Sequence, residues 1–181
     1  MLRSGLLVGT IVATAGGAEA VSAAVAALGA TTVTLEVDLR DEDAVTGAAG
    51  ALGPVAVLVC DTTPAFVAAS GGIEGLGAGL EGAWNATRAV ANAIWRPGDG
   101  GRAVLLGPRP RDGAHAVALG AALENTARTL SIEWARYGIR TTAVLPGDAT
   151  TDDEIASLIA YLASPAGDYF TGCAFALGGQ T

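Results

Sequence analysis

The sequence predicts an α/β fold: a doubly wound parallel sheet of about six strands held in three α/β/α layers. Two observations predict it. Apolar, β-branched runs of strand length alternate with longer helical patterns along the chain. Strands separated by helices pair in parallel, with helices on both faces of the sheet. The chain shows no internal repeat, linker or change of composition, so residues 1–181 read as a single domain, long enough to bury a core.

The elements follow in order. Leu6–Thr14 is apolar and rich in β-branched residues, which predicts a buried strand. Glu19–Leu28 predicts a helix stopped at Gly29, and Thr31–Leu39 a second strand. Asp41–Leu52 opens acidic, as a helix N-terminus favours, and stops before Gly53 and Pro54. Val55–Cys60 predicts a third strand. Leu76–Trp95 predicts a long helix carrying Leu76, Leu80, Trp84, Val90 and Ile94. Ala103–Leu106 is a short fourth strand, and Ala116–Tyr137 a long helix ended by Gly138, a natural C-cap. Arg140–Leu145 is a fifth strand closed by Pro146 and Gly147. Asp152–Ala163 is a helix with an acidic first turn, and Ala174–Leu177 a last strand. Open parallel sheets bind ligands beyond the C-terminal ends of their strands. Here those places are Thr14–Gly17, Asp38, Cys60–Thr63, Gly107–Ala116 and Pro146–Thr151.

Composition narrows the function. Eighteen acidic residues against ten basic ones give a net charge of −8, which disfavours nucleic acid or an anionic membrane as a partner. No signal peptide and no apolar stretch of bilayer length is evident, so the chain is expected to be cytoplasmic. Every basic residue is Arg, and the single imidazole is His115. Cys60 and Cys173 are far apart and read as buried thiols; with no CxxC and no paired His, no metal site is expected.

The stretch LGAALENTARTLSIEWARYGIRTTAVLPG, Leu119 to Gly147, resembles the active-site helix, next strand and Pro-Gly turn of the short-chain dehydrogenase/reductase family. The tail EIASLIAYLASPAGDYFTGCAFALGG is similar to that family's C-terminal helix and last strand. VTLEVDLRDEDAV is similar to the strand and turn whose Asp lies near the adenine, and GAWNATRAV to the dimer-forming helix. The likeness runs from about Ile11 onward and implies a Rossmann-like fold.

What the resemblance also implies is a degenerate member. The family uses a Tyr four residues before a Lys: the Tyr moves the proton, and the Lys lowers its pKa and holds the ribose. The matching positions are Ala116 and Gly120. The family's Ser falls near Gly107 and Pro108, and its Asn at Gly79. The glycine-rich phosphate loop is reduced to TAGGAEA, Thr14 to Ala20, without a third Gly. The Asn-Asn-Ala-Gly stretch is Cys60-Asp61-Thr62-Thr63, which sets a carboxylate where an anionic dinucleotide would lie. The first strand-helix unit is absent by this match: either the sheet has lost a strand, or Leu6–Thr14 takes the central place. The substrate lid between Pro146-Gly147 and the Asp152 helix is missing.

The expected function is therefore that of a pseudoenzyme, a non-catalytic subunit assembling with a catalytic short-chain dehydrogenase/reductase, including those acting on acyl thioesters or hydroxy/keto substrates. It would have no independent oxidoreductase activity, no catalytic residue and no tightly bound cofactor, and would meet NAD or NADP only through its partner. The partner is a catalytic paralogue or a second copy, docked on the Leu76–Trp95 and Ala116–Tyr137 helices. On the second helix Leu119, Leu123, Leu130 and Trp134 form one stripe, and Ala118, Ala121 and Ala122 allow close approach. The alternative is an active enzyme running nicotinamide-independent dehydration, isomerisation or cyclisation, with His115 as acid/base beside Asp61, Arg109 and Arg111. Against these functional readings, Asp38 reads as a turn residue, Thr14–Gly17 as turn geometry and Cys60 as an inert thiol.

Overall fold

The computed structural model describes residues 2–178; Gly179, in the tail that carries part of the resemblance, lies outside them with the rest of the last three residues and Met1. Among the described residues one sheet is formed by β1 (Ile11–Ala15), β2 (Thr31–Leu35), β3 (Val57–Asp61), β4 (Gly101–Leu106), β5 (Ile139–Pro146) and β6 (Cys173–Leu177). Their order is β2-β1-β3-β4-β5-β6, and every pairing is parallel. The expected α/β/α architecture is therefore present.

The strands divide their side chains by period two between two cores. Ala13, Leu58, Cys60, Ala103, Leu105 and Ala143 face one; Val12, Val57, Val59, Val104, Leu106 and Val144 face the other. The first core is roofed by α2 (Glu42–Ala51), α3 (Thr63–Ala68), α4 (Ile73–Val90) and α5 (Ala116–Glu133). The second is roofed by α1 (Glu19–Ala27) and α6 (Asp152–Ala163), which pack together through Val21, Val25, Ile155 and Ile159. Leu7, from the turns before β1, fills the remaining space on that side.

Several boundaries differ from the sequence expectation, each for a physical reason. The strand expected over Leu6–Thr14 begins only at Ile11, because Gly5 and Gly9 take left-handed backbone (φ 77° and 82°) and fold residues 4–9 into turns. Its strand holds the place between β2 and β3, at the point where the strand order reverses. The strand expected over Thr31–Leu39 ends at Leu35, which pairs with Ala15, the last residue of its only neighbour. The helix expected over Leu76–Trp95 starts earlier, at Ile73, and its last turn, Ala91–Trp95, widens to a π-turn. That turn sets the Trp95 indole N–H on the Val55 carbonyl at 2.8 Å, with the ring packed on Gly101. The helix expected to run to Tyr137 breaks at Trp134 into a 3₁₀ turn capped by Gly138 (φ 68°). The Asp152–Ala163 helix has the expected bounds, set by a capping box between Thr151 and Glu154. No helix among the described residues is long and apolar enough to cross a membrane.

Candidate ligand site at the strand crossover

The C-terminal ends of β1, β3, β4 and β5 open into a cavity of about 360 Å³. It lies where β1 and β3 diverge in their connections, the position where open parallel sheets bind ligands. Its apolar walls are Ala18 and Val21 of the α1 end, Pro64 and Val67 of α3, Leu106, and Ile155 of α6. Its polar lining is Glu19, Asp61, Thr63, Arg109 and Asp152.

Two glycines shape the β1–α1 turn. Gly16 (φ 81°) presses on the β3 end so closely that a Cβ would stand 2.0 Å from the Asp61 carbonyl oxygen. Gly17 (φ 87°) turns the chain into α1, whose N-cap, Ala18, offers no side-chain cap. The first residue of the helix is Glu19, whose carboxylate lies over Gly17, 3.6 Å from where a Cβ would be. The positive end of the α1 dipole therefore already faces a carboxylate of its own chain.

Asp61 ends β3 and is largely enclosed. Its Oδ1 accepts the Thr63 backbone N–H at 2.9 Å. Burial pushes its carboxyl up to about 6; the Thr63 hydrogen bonds and the Arg109 charge pull the other way, and Glu19 adds to the rise. Burial, helped by the Asp61 charge, pushes the neighbouring Cys60 thiol up to about 12, so it stays protonated. Arg109 is the cation in the cavity lining. Its Nε donates to the Thr150 carbonyl at 3.0 Å, and its guanidinium pairs with Asp152 at the start of α6.

The structure brings Asp61 and Arg109 together but leaves the other sequence candidates out. Arg111 ties its loop to Asp148 through backbone and side-chain N–H groups, at 2.7 and 2.6 Å. His115 is the N-cap residue of α5 and is absent from the cavity lining; its buried Nδ1 has no hydrogen-bond partner. Asp38 is exposed and accepts the Arg40 N–H in a local turn. Ala116 and Gly120 line a smaller hollow of about 110 Å³ with Pro108, Val117, Ala121, Leu145 and Glu124, whose carboxylate accepts from Arg128. Gly79 is packed against α5, and a Cβ there would meet Leu119 Cδ2 at 2.7 Å. Among the described residues no three His, Cys, Asp or Glu side chains gather as a metal would need. Glu19 and Asp152 are cavity residues that no motif in the sequence marks as such. Their signal was an acid in the first turn of a helix that follows a strand end.

No protein-family model and no curated protein matches the sequence. Solved structures do match in fold. A citronellol catabolism dehydrogenase (AtuB) of Pseudomonas aeruginosa PAO1 superposes with a TM-score of 0.78 at 23% identity, over 97% of this chain and 96% of that one. A hydroxysteroid dehydrogenase of Escherichia coli superposes at 0.75 with 17% identity, over 98% and 99%. BdcA (YjgI) of E. coli superposes at 0.72 with 22% identity, over 95% and 100%. The chain thus has the fold of the short-chain dehydrogenases and reductases.

Proposed function

We propose that the chain is a non-catalytic subunit that assembles with a catalytic short-chain dehydrogenase/reductase and neither binds dinucleotide tightly nor transfers hydride by itself. One helix, α5, carries the reading. The side chains turned toward its inner hollow, at Ala116 and Gly120, have no proton to move and no charge to place. Its exposed residues include Val117 (61%) and Ala121 at the rim of that hollow, Ala118, and Ile132 (73%), with Asn125, Arg128 and Thr129 among them. Neighbouring α4 adds Ile73 at 68% and Trp84 at 40%.

The stripe named from sequence is not itself that surface. Leu119, Leu123 and Leu130 are buried against the sheet, so the docking face is the opposite one. Its small residues permit a close helix crossing, and a second chain of the same fold presents the matching pair of helices. Three carboxylates at the crossover cavity, one of them over the α1 N-terminus, oppose a pyrophosphate there.

Light scattering of the chain co-expressed with catalytic paralogues is expected to show a stoichiometric complex. Ala121→Arg, at an exposed position, is expected to weaken it at least tenfold while the isolated chain keeps its melting temperature. A chain that stays monomeric alone and with every paralogue, or that binds NADH with micromolar affinity, overturns the reading.

A further inference from the structure

We infer that the crossover cavity is a binding site for a small, mostly apolar molecule bearing one ammonium group, which Asp61 anchors. The inference rests on the reading that no dinucleotide fills this cavity. It is carried by the cavity itself and by the way its charges are already spent. The volume of about 360 Å³ suits a compact ligand, and eight of the lining side chains are aliphatic or proline.

Each charged group facing Asp61 has another occupation. Arg109 is engaged by Asp152 and the Thr150 carbonyl. Glu19 sits at the N-terminus of α1, where its charge is matched by the helix end. Cys60, behind Asp61 on β3, stays a neutral thiol. Asp61 feels the Arg109 charge but, among the described residues, forms no ion pair of its own. Its Oδ1 takes the Thr63 backbone N–H at 2.9 Å, and the Thr63 side chain adds to that support. An ammonium group gives this carboxylate a charge-assisted hydrogen bond, while its apolar body covers Val21, Val67 and Ile155. An anionic ligand would meet three carboxylates and one occupied Arg, and a neutral one would leave the Asp61 charge unmatched.

The test is calorimetric titration of the whole chain with three isosteric probes: cyclohexylmethylamine, cyclohexylmethanol and cyclohexanecarboxylate. The amine is expected to bind at least tenfold more tightly than the other two. Because the Asp61 carboxyl lies near 6, its ionised fraction falls roughly tenfold between about pH 7.5 and pH 5, and amine affinity should fall with it. Asp61→Asn should remove the preference for the amine, since the amide keeps the shape and loses the charge. Val67→Trp, at the exposed rim, should block all binding with Asp61 intact, which separates occupancy of this cavity from attachment elsewhere. Equal binding of amine and alcohol, no binding of any probe, or unchanged amine affinity in either variant overturns the inference and leaves the subunit reading standing. NADH is titrated in parallel; micromolar binding overturns the subunit reading, and the inference with it.

Discussion

Asp61 shows how one residue couples a site to the stability of the fold. Its carboxyl is raised from 3.8 to about 6 in the folded chain. A raised acid means that the folded state holds the proton more tightly than the unfolded one. The associated stability is present below about pH 4 and is lost as pH rises to about 6, after which it stays constant. Two pKa units correspond to about 2–3 kcal/mol. Asp61→Asn keeps an acceptor for the Thr63 N–H and cannot ionise. Urea unfolding across this range should find the variant more stable than the parent by about that amount above pH 6, with the difference vanishing near pH 4. A pH-independent difference between the two would show that ionisation of Asp61 is not its cause. The same enclosure makes the group legible only in part from sequence. Asp61 and Arg109 stand out as charges beside strand ends, whereas the approach of Glu19 to Asp61 and the Arg109–Asp152 pair depend on loops that meet in space.

At the scale of elements, legibility followed local chemistry. α6 was bounded from sequence because its N-terminal signal is local: Thr151 and Glu154 cap each other across one turn. Thr151→Ala should therefore cost about 1 kcal/mol, seen as a lower urea midpoint with an unchanged slope. An unchanged midpoint would mean that the helix start is held by packing alone. β2 is shorter than its composition suggests because its end is set by its neighbour, and no local signal at Leu35 records that β1 stops at Ala15. The start of β1 was misplaced because Gly5 and Gly9 interrupt an apolar run whose composition still reads as strand. α3 went unseen, being six residues that begin with Thr63 and Pro64 directly after β3. It nonetheless supplies Phe66 to the core and Pro64 and Val67 to the cavity.

The whole molecule is lopsided. Four helices cover one face of the sheet, and α1 and α6 cover the other with help from Leu7. On the outside of the four-helix layer lie the exposed apolar side chains Ile73, Trp84, Val117 and Ile132, the surface proposed above for a partner. A partner that binds only the folded chain raises its melting temperature by mass action. The melting temperature is therefore expected to climb with the concentration of the catalytic paralogue and to ignore added NADH. A rise with NADH alone would place the dinucleotide on this chain.

The stacked indoles at the edge of that surface give the protein an optical property. Trp84 and Trp134 lie 6.4 Å apart with rings 25° from parallel, Arg88 rests over Trp84, and Trp95 is sealed in the core. Two neighbouring chromophores at the proposed docking face and one shielded reference make intrinsic emission a built-in gauge. Covering Trp84 should shift the spectrum toward the blue and alter the near-ultraviolet dichroism of the pair, while the buried indole reports whether the fold is intact. Association can thus be followed on the unlabelled protein, which suits a chain whose lack of lysine denies amine-reactive dyes every side chain.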